Sequence, residues 1–172
     1  MNVILLGYMG SGKSFIGQEL SKTLQMPFID FDGFIEENER STINEIFDTK
    51  GEIYFRKIEH HYLKALLNKS TNSIIALGGG TPCYYDNMQI IKSRENTKVI
   101  YINVSVAELS KRLLKEKQAR PLLKYVSSID DMEEFVGKHL FERINFYNQA
   151  DIIINGNNSP EKIIEEIVLR LF

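Results

Sequence analysis

Two hydrophobic periods alternate along the chain. Val3-Ile4-Leu5-Leu6 is a continuous apolar run, the pattern of a strand buried on both faces. Phe15, Ile16, Leu20 and Leu24 then recur at helical spacing among Gln18, Glu19 and Lys22, so a helix runs to about residue 25, where Pro27 follows. Short apolar segments at 28–32, 73–77, 98–103 and 151–155 predict four more strands. The intervening pattern predicts helices over 41–47, 52–67, 84–94, 107–117, 132–149 and 161–172. Local signals sharpen some ends. Ser41 or Thr42 caps a helix with Glu45 as the capping-box partner, Gly51 ends it, and Ser159-Pro160 opens the last one. Strands alternating with helices predict an α/β fold with a parallel sheet. There are no repeats, no low-complexity stretch and no interdomain linker.

Gly7-Tyr8-Met9-Gly10-Ser11-Gly12-Lys13-Ser14 lies between the first strand and the first helix and spells G-x-x-x-x-G-K-S. In that setting the glycines let the backbone wrap a phosphate. The amide groups and the helix dipole attract it, Lys13 adds a positive charge, and Ser14 offers a hydroxyl to Mg²⁺.

Asp30 and Asp32 end the second predicted strand. Two residues apart on an extended backbone, their carboxylates would face one way, which suits a cation or a hydroxyl substrate. Alternatively, Asp32 caps the helix that follows. The predicted strand at 73–77 carries no acidic residue, so the carboxylate for Mg²⁺ has to come from elsewhere, and Asp30 is available. Gly78-Gly79-Gly80 follows that strand, where a ligand can come close to bare backbone. Arg56 either grips an anion with its two-pronged guanidinium or pairs with Glu52 or Glu59 on its own helix. Arg112 either stacks on a base or is solvated. Arg120 lies in an irregular stretch that is either a lid over phosphates or a surface loop. His60 and His61 have no partners at metal-ligand spacing.

Composition narrows the classes. A chain of 172 residues, 43% hydrophobic, can build one domain with a sizeable core. A net charge of −2 argues against a nucleic-acid partner, so individual arginines rather than a basic patch need explaining. The single cysteine, Cys83, excludes an intrachain disulfide and fits a reducing compartment, with the residue itself read as half-buried packing. No apolar run approaches a membrane span, and the expected location is the cytoplasm.

Together these segments resemble the shikimate kinase family over nearly the whole chain. The resemblance rests on Gly7–Ser14, Phe28-Ile29-Asp30-Phe31-Asp32, and the G-E-x-x-F-R-x-x-E block from Gly51 to Glu59. Gly78-Gly79-Gly80, Arg120-Pro121-Leu122-Leu123, and Arg143 with Tyr147 and Ala150-Asp151 complete it. The phosphate loop is shared by many nucleotide enzymes; the other blocks in this order are far more specific. The resemblance implies a three-layer P-loop kinase fold of the nucleoside monophosphate kinase type. It would be a single domain over 1–172 with a five-stranded parallel sheet, helices on both faces, a mobile lid at about 116–128 and a shikimate-binding helical region at about 31–67.

The implied reaction is ATP-dependent phosphorylation of the 3-hydroxyl of shikimate, on the route to chorismate and aromatic amino acids. The resemblance implies ATP contacts from Gly10, Ser11, Gly12, Lys13, Ser14 and Phe15, with Arg112 at the adenine and Arg120 from the lid. It implies shikimate contacts from Asp32, Arg56, Gly78, Gly79, Gly80 and Arg143, and Mg²⁺ held by Ser14 and, through water, Asp30. Lys13, Asp32 and Arg120 would be the catalytic groups, in a monomer whose partners are ATP and shikimate. Two other classes compete. A kinase for another small molecule, such as gluconate or a nucleoside monophosphate, is disfavoured by the triple glycine and the 51–59 block. A nucleotide-binding regulatory module is disfavoured because Lys13, Ser14, Asp30, Asp32 and Arg120 are all present.

Overall fold

The computed structural model describes residues 1–116, 123, 126 and 128–172. Its centre is β1 (Asn2–Leu6), in which all five residues are buried. Successive side chains of a strand point to opposite faces, so both faces of the sheet are covered there. β1 pairs in parallel with β3 (Ile74–Ala76) on one side and β4 (Thr97–Asn103) on the other, with Ile4 opposite both Ile75 and Val99. β2 (Phe28–Asp30) extends the sheet beyond β3, and β5 (Ile152–Asn155) extends it beyond β4. The order is β2-β3-β1-β4-β5, with every pair parallel. β5 is an edge strand, and its residues alternate buried and exposed.

This order positions the site. After β1 the chain moves to the β2 side of the sheet through α1 (Lys13–Leu24); after β3 it crosses to the other side through α4 (Asn87–Lys92) and returns in β4. The carboxyl ends of β1 and β3 therefore flank the switch in direction, where open α/β sheets form a crevice. The remaining helices are α2 (Phe31–Glu39), α3 (Ile43–Lys69), α5 (Val106–Glu116), α6 (Ile129–Phe141), α7 (Ile144–Tyr147) and α8 (Pro160–Leu171). No helix among the described residues is long and apolar enough to cross a membrane.

The predicted helices hold with instructive differences. The Thr42–Glu45 capping box is present in both directions and opens α3. The two helices expected at 41–47 and 52–67 are halves of α3, kinked at Gly51, whose φ of 79° is open to glycine. α4 begins only at Asn87, because residues Thr81–Cys83 form a 3₁₀ turn and Tyr85 takes φ 52°. The single helix expected over 132–149 is instead α6 and α7. At the break, the Arg143 side chain donates to the His139 carbonyl through Nη1 (2.8 Å), while its own amide turns to Leu140 (2.9 Å). The side chain thus occupies the carbonyl that helix continuation would use.

α1 lies close against β2 and β3. A Cβ on Gly17 would come within 2.3 Å of the Phe28 ring. Helix propensity alone would make Gly17→Ala stabilising by about 1 kcal/mol. Overpacking should reverse that sign and destabilise by about 1–3 kcal/mol, read as a lower midpoint in thermal and urea unfolding. A higher midpoint would show that Phe28 moves aside freely.

Candidate active site

The phosphate loop is built by left-handed turns at Gly10 (φ 77°) and Gly12 (φ 88°), after which Lys13 starts α1. No side chain caps that helix and no acidic residue occupies its first turn, so its amide dipoles remain available to an anion. Lys13 is buried, and its Nζ donates to the carbonyls of Gly7 (2.8 Å) and Tyr8 (3.0 Å). The ammonium thus stands inside the loop. The loop borders a cavity of about 450 Å³ lined also by Phe15, Asp30, Asp32, Gly78, Gly79 and Arg112.

The two aspartates reach this cavity differently from the sequence expectation. The strand stops at Asp30 and α2 starts at Phe31, so the pair does not share an extended backbone. Asp30, not Asp32, is the helix cap: its Oδ1 accepts from the Gly33 amide (3.3 Å). Its Oδ2 accepts from the Ser14 hydroxyl (2.6 Å), joining the helix cap to the phosphate loop. Asp32 lies in the first helical turn, half-buried. Burial pushes its carboxyl up to about 6, and repulsion from Asp30 and Glu59 adds to the effect; the Lys13 ammonium opposes it.

The triple glycine is where the separate parts meet. A Cβ on Gly78 would stand 2.6 Å from Asp32 Oδ1. On Gly79 it would stand 3.2 Å from the Met9 amide nitrogen of the phosphate loop. On Gly80 it would stand 2.8 and 2.9 Å from the two terminal nitrogens of Arg56. Three consecutive bare residues thus let a carboxylate, a phosphate loop and a guanidinium close on one strand end. The loop is tied down from below by Tyr147, whose buried hydroxyl donates to the Gly79 carbonyl (2.6 Å).

A family model described as shikimate kinase matches residues 9–172. The chain is 46% identical to a shikimate kinase of Flavobacterium psychrophilum, covering 99% of this chain and 98% of that one. It is 43% identical to the shikimate kinase of Flavobacterium johnsoniae, covering 96% of each. The chain belongs to the shikimate kinase family. Family structures superpose closely. The shikimate kinase of Bacteroides thetaiotaomicron gives a TM-score of 0.87 at 37% identity, covering 99% of this chain and 96% of that one. The Acinetobacter baumannii shikimate kinase, solved in complex with shikimate, gives 0.88 at 29% identity, covering 99% and 92%. The expected α/β architecture with its five-stranded parallel sheet is therefore that of the family, and a kinase of this family uses ATP.

Within this family frame, the arginines occupy three settings. Arg56 makes both pairings considered from sequence, to Glu52 (3.3 Å) and to Glu59 (3.0 Å), and its guanidinium lies over the Tyr84 ring at 3.9 Å. It borders a neighbouring cleft of about 430 Å³ rather than the phosphate cavity. Arg143 is buried at the α6–α7 break and lines neither space. Both guanidiniums act on Cys83, so they share a neighbourhood; burial nevertheless pushes that thiol up to about 11, which disfavours the reactive thiolate. Arg112 is only partly solvated and is not free. It pairs with Glu108 (2.8 Å) and donates to the carbonyls of Gly10 (3.3 Å) and Gly156 (3.4 Å), bridging the phosphate loop and the turn before α8. Arg120 and most of the stretch expected as the lid lie outside the described residues.

Sequence reasoning foresaw the Arg56–Glu59 pair but missed its burial and the further groups that hold these side chains in place. Glu59 is buried and accepts from Arg56 on one oxygen and from the Thr81 hydroxyl (2.7 Å) on the other. Its spacing of three from Arg56 was the available signal. Asn87 connects His60 (2.6 Å) to the Thr81 carbonyl (2.8 Å), and nothing in the linear pattern points to it.

The raised carboxyl of Asp32 has a measurable consequence. The native state holds this proton up to about pH 6, whereas an unfolded aspartate releases it near 3.8. Asp32 therefore lowers stability progressively as pH rises from about 4 to 6, and fully above that. Asp32→Asn should raise the melting temperature of the ligand-free protein at pH 8, by up to roughly 2–3 kcal/mol of stability. The gain should vanish near pH 4. A difference that does not vary with pH would show that Asp32 is not strained by ionisation.

Proposed function

We propose that this chain transfers the γ-phosphoryl group of ATP to the 3-hydroxyl of shikimate, using Asp32, the phosphate loop and Arg56 around the triple glycine. Shikimate kinase activity follows from family membership; the assignment of roles to residues is ours. The observation that carries it is the approach of those three groups to Gly78, Gly79 and Gly80.

Phosphoryl transfer demands positioning and charge neutralisation more than covalent chemistry from the protein. The loop amides and Lys13 receive the phosphates, with Lys13 leaving its carbonyl partners for the β- and γ-oxygens. Phe15 borders that space and Arg112 borders the adenine end. Asp32 accepts a hydrogen bond from the attacking hydroxyl and orients it. A carboxyl pushed up to about 6 is also well matched to taking the proton near neutral pH. Arg56 and Arg143 grip the carboxylate of shikimate, Arg56 being pre-set by Glu59. Shikimate bound in the Acinetobacter relative supports this substrate. Arg120 supplies further charge from a lid at about 116–128, and the helical segment over about 31–67 forms the shikimate side of a single domain acting as a monomer.

The donor set also fits Mg²⁺. Ser14 Oγ and Asp30 Oδ2 lie 2.6 Å apart at the cavity. Among the described residues there is no cluster of three or more His, Cys, Asp or Glu side chains suited to a metal. One hydroxyl and one carboxylate suit a hard cation that keeps most of its waters and binds with nucleotide phosphates. Ser14 would hold it directly and Asp30 through water; bound there, it would neutralise phosphate charge.

The test is ADP release from Mg·ATP with shikimate, quinate or gluconate, in the wild type and in Arg56→Ala. Shikimate should stimulate release far more than the other two. Arg56→Ala should raise the shikimate KM about ten- to a hundred-fold, the loss expected for a charge-assisted hydrogen bond, with little change for ATP. Equal effects on both substrates would contradict the carboxylate role, and better turnover of gluconate would reassign the substrate.

A further inference from the structure

The second residue of the phosphate loop is bonded to a distant helix. Tyr8 is buried, and its hydroxyl lies 2.7 Å from His139 Nδ1 in the last turn of α6, with the two rings edge to face. Phe135 packs on the other side of the imidazole, 5.3 Å between centroids. Burial and the Arg143 guanidinium lower the proton affinity of His139 below the usual imidazole value. In the neutral ring with its proton on Nε2, Nδ1 accepts from the Tyr8 hydroxyl; in the other tautomer Nδ1 donates to it, and the contact joins the two residues either way.

Each member of this pair also holds a group of the proposed site through its backbone. The Tyr8 carbonyl accepts from Lys13 Nζ (3.0 Å). The His139 carbonyl accepts from Arg143 Nη1 (2.8 Å). Lys13 and Arg143, proposed for opposite substrates, are thus linked through one side-chain hydrogen bond and two backbone carbonyls. The His139 carbonyl lies at the break after α6, where Arg143 takes it with its side chain and not its amide, so the position of His139 bears directly on where the guanidinium stands.

We propose that Tyr8 and His139 are a positioning pair through which the phosphate loop holds Arg143 in place for the anionic group of the second substrate. The inference rests on the shikimate kinase reading above and on Arg143 as a carboxylate-binding group. Neither residue touches substrate; both act through Arg143.

Steady-state kinetics on the full chain test it, with Tyr8→Phe, His139→Ala, the double variant, His139→Asn and Arg143→Ala. Tyr8→Phe removes only the hydroxyl. It should raise the shikimate KM roughly two- to ten-fold, the range for one neutral hydrogen bond, with the ATP KM within about two-fold. His139→Ala should do the same, and the double variant should be no worse than the poorer single one. His139→Asn, which keeps an acceptor near the Nδ1 position, should recover most of the loss. A merely structural bond would lower the melting temperature and leave the ratio of the two KM values unchanged, which would overturn the proposal. So would multiplicative effects in the double variant, or His139→Asn behaving like His139→Ala. If Tyr8→Phe does not fold, the His139 pair decides by the same KM ratio. Arg143→Ala separates the two levels. If it raises the shikimate KM while Tyr8→Phe and His139→Ala do not, only the positioning role fails. If it leaves that KM unchanged, the carboxylate role of Arg143 fails first.

Discussion

Gly78, Gly79 and Gly80 follow a buried strand and present no side chain to their surroundings. What surrounds them is a half-buried carboxylate, the backbone of a phosphate loop and a guanidinium; a single added carbon would collide with the carboxylate or the guanidinium and press tightly on the loop. None of the three takes a left-handed conformation, so the demand is for close approach and not for unusual backbone angles. The rest of the site answers to this constraint. Asp32 is brought to Gly78 by starting a helix directly after β2; Arg56 is held over Gly80 by Glu59; and Tyr147 fixes the Gly79 carbonyl from within the core.

Electrostatic strain accompanies that crowding. Burial raises the Asp32 carboxyl most, and Asp30 and Glu59 are close enough to raise it further. A carboxylate so placed costs stability above about pH 6, but it is also a good hydrogen-bond acceptor for a hydroxyl brought beside it. Opposite charge is kept near at hand but not in excess. Lys13 is engaged by loop carbonyls, and Arg56 by two glutamates, so each cation is oriented before any substrate arrives. Such pre-orientation lowers the cost of ordering long side chains on binding.

Much of this was legible in the residues. The phosphate loop announces itself through motif and setting, the five strands through their apolar runs, and the start of α3 through its capping box. The less legible parts are those set by competition between local partners. Asp30 and Asp32 look like neighbours on one strand until Asp30 caps a helix and turns its partner onto it. The periodicity over 132–149 gives no hint of a break, and at that break the Arg143 side chain, not its amide, takes the His139 carbonyl. The Glu59–Thr81 bond, Asn87 and the Tyr8–His139 contact join residues from separate elements, and a linear pattern holds no record of which of those side chains will meet.

The central claim is that the bare strand end lets Arg56 stand where the second substrate binds. Gly80→Ala tests it most directly, since the added carbon would meet both terminal nitrogens of Arg56 at under 3 Å. The account predicts a shikimate KM raised about ten-fold or more, as for a weakened charge-assisted hydrogen bond, with the ATP KM and the melting temperature close to wild type. An unchanged shikimate KM, or an equal rise in both KM values, would contradict it.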